Sequence, residues 1–354
     1  RAAGVEGLAG RGAGGRTGVS PEGMAPGGAV GSMSILGCDP TEYPPGRAPI
    51  EVAAMGRTLR SDQTAFRCNL VVVHDGVMVD YAGANPTNEE GAAVVAALQE
   101  ALAGAHEGLE FLAGVGFRNA LIAPEAWLDA DCTPPHDLSG APIMNPSGPA
   151  GGALTDLMEG SKEVLAGFDL EANQIWLWGQ GFQPRIPSFR DTHGVEAGLV
   201  TAVDLVRGIG ALSGMKICDI PGATGWYDTD YEGKRDVALA ELKAGLDLFV
   251  IHVEATDEAG HAGDVTEKVE ALENWDRRIL ADLLTGLDDL GPWRLLMLPD
   301  HATPLTTRTH TPDPVPYLLA DSAVDGPGGT FTEAGVADRE PVPGHLLVPH
   351  LLAS

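Results

Sequence analysis

The stretch LFVIHVEATDEAGH, residues 248–261, indicates both the fold class and the position of a candidate functional site. Its first half, LFVIHVEA, is the apolar run expected of a strand buried in a sheet. Its second half places Asp257 and His261 four residues apart, so that one helical turn puts the carboxylate and the imidazole on the same side. A buried strand leading into this pair predicts a divalent-metal site at the carboxyl end of a sheet.

The same arrangement recurs further along the chain. The apolar run RLLMLPDH (294–301) ends in Asp300 and His301, and His310 follows in RTHTPDPVP (308–316). Alone, an Asp-x3-His spacing is more often a helix cap with an exposed histidine, and His310 alone is an ordinary loop residue. The order of the three elements favours metal binding. Mixed Asp and His ligation suits Mn²⁺ or Zn²⁺, and two such clusters suit phosphoryl or sulfuryl transfer.

Strand and helix patterns alternate along most of the chain. The strand patterns are 66–73, 111–123, 174–179, 216–221, 248–255 and 294–301, and the helix patterns are 89–109, 154–168, 198–214, 231–245 and 266–287. This alternation predicts an α/β fold with a doubly wound, mostly parallel sheet. The opening segment GLAGRGAGGRTG (7–18) has no strand pattern, and we expect the chain to begin within a domain.

The amino-acid composition of the chain argues against some classes of binding partner. The 354 residues carry 22 Lys and Arg against 50 Asp and Glu, a net charge of -28 that repels nucleic acid and anionic membranes. An anionic substrate then needs local cations, such as bound metal ions. No apolar run is long enough to span a bilayer, and the oligomeric state is not indicated. The scattered cysteines predict neither a zinc finger nor a disulfide framework, and hence a cytoplasmic protein; they are Cys38, Cys68, Cys132 and Cys218.

Nine segments spread over nearly the whole chain carry motifs of one known family. They are SILGCDP (34–40), GRAPIEVAAMG (46–56), AFRCNLV (65–71), PPHDLSG (134–140), IWLWGQG (175–181), PGATGWYDT (221–229), HVEATDEAGH (252–261), PDHATP (299–304) and THTPDPVPY (309–317). Together they resemble the archaeal-type cofactor-independent (2,3-bisphosphoglycerate-independent) phosphoglycerate mutases of the alkaline phosphatase superfamily. The resemblance implies an isomerase of glycolysis and gluconeogenesis that interconverts 3-phosphoglycerate and 2-phosphoglycerate through a phosphoenzyme.

The same resemblance implies a domain arrangement and a metal content. Residues 1–62 and 191–354 would form an alkaline-phosphatase-like core, and residues 63–190 a smaller inserted α/β domain that binds substrate. Two divalent ions are implied, with Mn²⁺ expected and Mg²⁺, Co²⁺ or Zn²⁺ as alternatives, and no 2,3-bisphosphoglycerate. One ion takes Asp257, His261 and His310, and the other takes Asp300 and His301 as part of its set.

The resemblance also extends to cationic residues that would hold a small phosphorylated metabolite. Lys216 in GMKICDIP lies where the family has a basic residue near the phosphoryl group. Arg67, Arg185 and Arg190 could pair bidentately with a carboxylate or phosphate through their guanidinium forks. Solvated surface positions remain the alternative for each of these four residues.

Two departures from the family pattern bear on activity. The family's nucleophilic serine follows Pro-Gly, where this chain has Pro26-Gly27-Gly28. The family's opening strand ends in an Asp-Gly whose aspartate binds the second ion, and we expect that strand and ligand to be missing here. The nearest hydroxyls are Ser32 and Ser34. Two alternatives therefore stay open: a phosphatase or phosphotransferase of the same superfamily, and a catalytically silent homologue that binds a metabolite.

Overall fold

A computed structural model describes residues 3–24, 26–43 and 46–353. The chain forms two compact units, one of Arg1–Pro45 with Arg185–Ser354 and one of Gly46–Pro184. Within the described residues, no helix is both long and apolar enough to cross a membrane.

The first unit contains a three-stranded parallel sheet. Its strands are β7 (Ala197–Val200), β8 (Lys216–Cys218) and β9 (Leu248–Ile251), in the order β8-β7-β9. Helices α7 (Asp204–Leu212) and α8 (Tyr231–Lys243) connect them. The helix predicted over 198–214 is wrong in its first part, because the central strand begins there. All four residues of β7 are buried, and so short a buried run has no alternation to mark it as a strand.

A second sheet of the first unit is mixed. Its strands are β1 (Ala13–Gly18), β10 (Arg294–Met297), β11 (Val315–Asp321) and β12 (Val342–Pro343), in the order β10-β11-β1-β12. Strand β11 runs antiparallel to both β10 and β1, whereas β1 and β12 are parallel. The α/β class is confirmed, but the single doubly wound, mostly parallel sheet is wrong. Residues 298–314 contain no helix, and a crossover between parallel strands usually contains one.

The glycine-rich opening segment forms strand β1, which the sequence did not predict. An ideal Cβ on Gly15 would lie 2.5 Å from the Tyr317 ring on the neighbouring strand β11. Glycine is therefore required where the tyrosine lies against the backbone. Because a side chain of the neighbouring strand occupies the space beside these glycines, strand β1 has no alternation of apolar side chains that would mark it in the sequence.

The remaining helices of the first unit surround these sheets. They are α1 (Ala3–Ala9), α2 (Gly28–Ile35), α6 (Phe189–His193), α9 (Ala255–Ala262), α10 (Val265–Asn274), α11 (Ala281–Leu290) and α12 (Leu347–Leu352). A π-helical segment, Trp275–Leu280, joins α10 to α11, so the long helix predicted over 266–287 is confirmed. Its buried face packs with Leu8, Tyr231 and Met297 in one apolar core.

The second unit is built on a five-stranded antiparallel sheet. Its strands are β2 (Gln63–His74), β3 (Val77–Asp80), β4 (Glu110–Val115), β5 (Arg118–Pro124) and β6 (Gln174–Gly181), and its helices are α3 (Arg47–Ala54), α4 (Asn88–Leu102) and α5 (Gly151–Leu165). Strand β2 pairs with β3, β5 and β6. The single strand predicted over 111–123 is instead the β4-β5 hairpin, turning at Gly116 with φ 57°.

Helix α3 sets the first boundary of this unit. Its residues Ala48 and Val52 pack with Ala65 and Ile122 of the sheet. The unit therefore begins at Gly46 and ends at Pro184, where the sequence placed its bounds at 63 and 190. Burial of α3 on the sheet is a tertiary contact that no local pattern in residues 46–56 announces.

Candidate metal centre

Two strand ends and one loop of the first unit supply the predicted metal ligands. Strand β9 ends at Ile251, and the chain enters α9, with Asp257 in its first turn and His261 in its last. Strand β10 ends at Met297, shortly before Asp300 and His301. His310 lies in the connection between β10 and β11. The sequence predicted Asp257, His261, Asp300 and His301 from the strand patterns, and His310 from its order after them.

The predicted ligands of the first ion converge in space. The Nε2 atom of His261 lies 3.0 Å from Nε2 of His310 and 3.3 Å from Oδ2 of Asp257. The Nε2 atom of His310 lies 3.6 Å from Oδ1 of Asp257. His301 joins the group, with its Nδ1 atom 3.9 Å from the same oxygen. Separations of this size are those of side chains that can share one ion.

The predicted ligands of the second ion lie beside this group. Oδ2 of Asp300 is 3.5 Å from Nε2 of His301. The same oxygen is 4.0 Å from Nε2 of His252, which directly follows strand β9. Burial raises the pKa of Asp300, and burial lowers the pKa of His252. Both shifts favour the neutral form of a buried group.

The electrostatics of the first group favour a cation. Burial opposes ionisation of Asp257, but hydrogen bonds from His310 and Thr303, with His301 and His261 nearby, lower its pKa to about 2. Burial and the neighbouring His310 lower the pKa of His301 to about 4. Near neutral pH the group thus offers a carboxylate and a neutral imidazole, which are donors that Mn²⁺ and Zn²⁺ accept. The residues present fit a divalent ion.

Hydrogen bonds outside the group orient its members. Nδ1 of His261 donates to the carbonyl oxygen of Arg308 at 3.0 Å, since that oxygen can only accept. This leaves Nε2 of His261 free to bind a metal. Thr303 donates from its hydroxyl to Asp257, and the same hydroxyl lies 3.2 Å from Nδ1 of His301. The carboxylate and the two imidazoles are thereby held in place without an ion.

Sequence reasoning missed three side chains at this centre. Lys234 is wholly buried and donates from Nζ to the carbonyl oxygen of His252 at 3.0 Å; burial lowers its pKa to about 8. Burial, with Asp300 and Asp257 close by, raises the pKa of Glu254 to about 8. His252 and Glu254 belong to the motif HVEATDEAGH and follow strand β9, but a polar residue after a strand does not by itself indicate burial. Nothing in YEGK signals that Lys234 is buried.

The segment with the glycine departure lies at this centre. Helix α2 begins at Gly28, and an ideal Cβ on Gly27 would lie 3.0 Å from Nδ1 of His310. A Cβ on Gly28 itself would meet only Leu205 Cδ2, at 3.8 Å. Ser32 and Ser34 are both buried. Ser34 faces Gly344, and the Ser32 hydroxyl has no hydrogen-bond partner among the described side chains and backbone.

Three of the predicted cationic residues lie in the first unit. Lys216 stands at the amino end of β8, opposite the end of the sheet that leads to the metal ligands. Its Nζ pairs with Glu241 at 2.6 Å, and this hydrogen bond raises its pKa. The structure therefore does not bring Lys216 to the centre. Arg190 pairs with Glu196. Arg185 is exposed and forms no ion pair within the described part of the chain.

The fourth, Arg67, lies on strand β2 of the second unit. Its side chain is 5% exposed, and its Nε donates to Oε2 of Glu51 at 2.8 Å. Its guanidinium carbon lies 4.4 Å from the centre of the Trp178 ring. Burial, with Arg47 and Arg118 nearby, lowers the pKa of Arg67 to about 10. Glu51 thus pairs with two arginines, Arg67 and Arg47, and Arg118 adds a third positive charge near Arg67.

Replacing Arg67 by alanine is expected to lower the free energy of unfolding by about 3 kcal/mol, because Glu51 would lose its buried partner. Trp178 would also lose the cation above its ring. Urea unfolding followed by tryptophan fluorescence measures the change. Arg60→Ala is the matched control, since the Arg60–Asp62 pair is exposed and should contribute nothing measurable. Equal unfolding midpoints for the two variants would contradict a structural role for the Arg67–Glu51 pair.

Comparison with known proteins identifies the family. The profile of the family described as 2,3-bisphosphoglycerate-independent phosphoglycerate mutase matches residues 9–170. A protein of that name from Methanothrix thermoacetophila is 43% identical over 326 residues, covering 88% of this chain and 82% of its own length. A probable one from Geobacter sulfurreducens is 39% identical over 353 residues, covering 94% and 85%.

Solved structures agree with these matches. The cofactor-independent phosphoglycerate mutase from Thermoplasma acidophilum shares the fold with a TM-score of 0.65 and 23% identity, covering 99% of this chain and 90% of its own. A protein from Pyrococcus horikoshii aligns with a TM-score of 0.78 and 25% identity, covering 99% and 89%. The chain belongs to the 2,3-bisphosphoglycerate-independent phosphoglycerate mutase family, a family of isomerases, and the resemblance drawn from its motifs is confirmed.

Proposed function

We propose that this protein is a metal-dependent phosphomutase that interconverts 3-phosphoglycerate and 2-phosphoglycerate in glycolysis and gluconeogenesis, in the cytoplasm. The observation that carries the proposal is the approach of Asp257, His261 and His310 to within 3.0–3.6 Å of one another. The names of its relatives support the substrate and the reaction.

In this proposal Asp257, His261 and His310 hold one divalent ion, and Asp300 and His301 hold another. Mn²⁺ fits the Asp and His donors, and Mg²⁺, Co²⁺ or Zn²⁺ are the alternatives. Bound ions would polarise phosphoryl oxygens and offset the repulsion between an anionic substrate and a chain of net charge -28. No 2,3-bisphosphoglycerate is needed.

Other residues of the chain would bind the substrate. Residues 63–190 are proposed as the substrate-binding domain, and the positive excess around Arg67 supports this, because Arg47 and Arg118 stand near it. Arg185, exposed and unpaired by any described carboxylate, is available to a phosphate or carboxylate. Arg190 and Lys216 would each have to leave a carboxylate partner first, so the geometry favours Arg67 and Arg185 over them.

Gly28 favours a second candidate function. The residue stands at the start of α2, directly after Gly27, which faces His310, and it has no hydroxyl to take up a phosphoryl group. Water in place of that hydroxyl would make the same site a phosphatase. A related phosphotransferase would use another metabolite in the same way.

An assay with 3-phosphoglycerate and Mn²⁺, coupled to detection of 2-phosphoglycerate, tests these alternatives when inorganic phosphate is measured in parallel. Formation of 2-phosphoglycerate supports the mutase. Phosphate release without 2-phosphoglycerate replaces the mutase by a phosphatase. Substrate binding in calorimetry with neither product would mark a silent binding homologue.

The affinity for Mn²⁺ is expected to fall at least about tenfold between about pH 8 and about pH 5, because protons compete with the metal for imidazole nitrogens. The hydrogen bond with Asp257 raises the pKa of His310 above the ordinary histidine value of 6.5. Protonation of His310 therefore begins at a higher pH than for a free histidine, and affinity falls as pH decreases. Calorimetric titrations across this range measure it. A constant affinity would argue against histidine ligation.

A further inference from the structure

Two arginines of the second unit share one carboxylate. Arg67 donates from Nε to Oε2 of Glu51 at 2.8 Å, and Nε of Arg47, the first residue of α3, lies 3.4 Å from Oε1 of the same carboxylate. The side chain of Arg67 is almost wholly enclosed, whereas that of Arg47 is 54% exposed. Two positive charges with a single carboxylate leave one positive charge uncompensated, in a chain whose net charge is -28.

Each of these arginines uses only its Nε atom on Glu51. Among the described residues, no hydrogen bond engages the terminal Nη atoms of Arg47 or Arg67. Those atoms are also absent from the set of buried side-chain atoms without a partner, so that water or a ligand reaches them. Enclosing a guanidinium is costly unless acceptors meet its N–H groups, and an oxyanion supplies acceptors in the geometry of the guanidinium fork.

One tryptophan ring orients both guanidinium groups. The guanidinium carbon of Arg67 lies 4.4 Å from the centre of the Trp178 ring, and that of Arg47 lies 5.9 Å from it. The ring is fixed in turn, because Trp178 is buried and its Nε1 donates to Oδ1 of Asn69 at 3.2 Å. Cation–π contacts with a fixed ring restrict the two side chains before any ligand binds, which reduces the entropy lost on binding.

We propose that Arg47 and Arg67 bind the carboxylate of phosphoglycerate through their terminal nitrogens, an inference that rests on the proposed function. Guanidinium forks pair bidentately with carboxylates and phosphates. In the proposed function bound ions take the phosphoryl group, which leaves the carboxylate as the anionic group that still needs a cation. Arg47, which was not among the predicted substrate-binding residues, is then a specificity-determining residue that distinguishes a phosphorylated acid from a phosphorylated alcohol.

Calorimetric titration of the chain in the presence of a metal chelator tests the assignment, because only the cations of the protein are then available to the ligand. 3-Phosphoglycerate should bind the unmodified chain, and Arg47→Gln should weaken this binding at least about tenfold through loss of a charge-assisted hydrogen bond. Glycerol 3-phosphate, which lacks the carboxylate, should bind both proteins equally weakly. Equal affinities of the two proteins for 3-phosphoglycerate, or no binding by either, overturn the inference.

Arg57→Gln is the matched control. Arg57 is a half-exposed arginine of the same unit that pairs with a carboxylate of its own, Glu110, and the variant should bind 3-phosphoglycerate as the unmodified chain does. Thermal unfolding of Arg47→Gln and Arg57→Gln shows whether either change disturbs the fold.

A second measurement needs no substitution. In crystals of the unmodified chain grown with 3-phosphoglycerate, a carboxylate within hydrogen-bond distance of the Nη atoms of Arg47 and Arg67 confirms the assignment. A phosphoryl group in that place, or a ligand bound only elsewhere, overturns it.

Failure of this inference and failure of the proposed function give different results. Weakened binding of 3-phosphoglycerate by Arg47→Gln, with no 2-phosphoglycerate formed by the unmodified chain in the Mn²⁺ assay, supports the inference and overturns the mutase. Formation of 2-phosphoglycerate by Arg47→Gln with the KM of the unmodified chain overturns the inference and supports the mutase.

Discussion

Replacing Gly28 by serine is expected to raise the Mn²⁺-dependent conversion of 3-phosphoglycerate to 2-phosphoglycerate about a hundredfold or more over the unmodified chain. A serine at the start of α2 would place a hydroxyl one residue after Gly27, which faces His310, at the position that the resemblance gives to the nucleophile. The site has room, because the nearest atom to an ideal Cβ there is Leu205 Cδ2 at 3.8 Å, and Gly28 has no positive φ. The coupled assay measures the gain.

Gly28→Ala is the control for this gain, since it fills the same space without a hydroxyl. It should show the rate of the unmodified chain. If the unmodified chain is already as active as Gly28→Ser, another group accepts the phosphoryl and the serine-dependent mechanism is wrong for this protein. If neither turns over while both bind Mn²⁺, the chain is a silent homologue.

Replacing Asp257 by asparagine is expected to weaken binding of the first Mn²⁺ by more than about a hundredfold. This exceeds the roughly 10- to 100-fold loss of affinity that follows when a residue that only orients a metal ligand is removed. Among the described residues, Asp257 is the one carboxylate with ion-pair distances to His261, His310 and His301 at once. The substitution removes its charge and leaves its shape. Calorimetry or the loss of free-Mn²⁺ signal in electron paramagnetic resonance measures the affinity.

Asp289→Asn, at an exposed position of α11, makes the same chemical change at a residue outside the groups that could hold an ion and should leave Mn²⁺ binding unaltered. Thermal unfolding of both variants without metal separates loss of ligation from loss of structure. Retention of the first ion by Asp257→Asn would mean that the converging side chains are a polar cluster without a metal function.

Four of the candidate ligands could be predicted because Asp257 and His261 follow one apolar strand, and Asp300 and His301 another, and strand ends commonly carry functional groups in α/β proteins. Strands β9 and β10 belong to different sheets, so the approach of Asp257, His261 and His310 to one another is a tertiary contact. Lys234 and Glu254 could not be found in that way, because what distinguishes them is burial. From sequence, a lysine on a helix is expected to be exposed to solvent. The contact of Lys234 Nζ with His252 is a tertiary contact, and no local sequence pattern marks it.

Elements of the fold that a local sequence pattern marks could be predicted. The prediction failed where strands distant in the chain pair with one another. The long helix and the strand β9 follow from periodicity. Strand β1 did not, because Tyr317 fills the space above its glycine. The direction of β10 and β11 depends on the absence of a crossover helix, which apolar runs do not encode. The domain bounds depend on α3 packing against its sheet.

The roles of the cationic residues stay predictions. Lys216 and Arg190 are engaged by carboxylates in this structure. Arg67 forms a buried ion pair and has neighbouring cations, and its part in substrate binding stays a proposal. Charge and motif in a sequence do not reveal which arginines are already neutralised.

Calorimetric titration of the unmodified chain with Mn²⁺ at about pH 8, repeated with Asp257→Asn, tests the central claim most directly, namely that the converging Asp and His side chains form a metal centre. The account predicts saturable binding by the unmodified chain and loss of the first site in the variant. The same weak, nonsaturable binding by both proteins would contradict it.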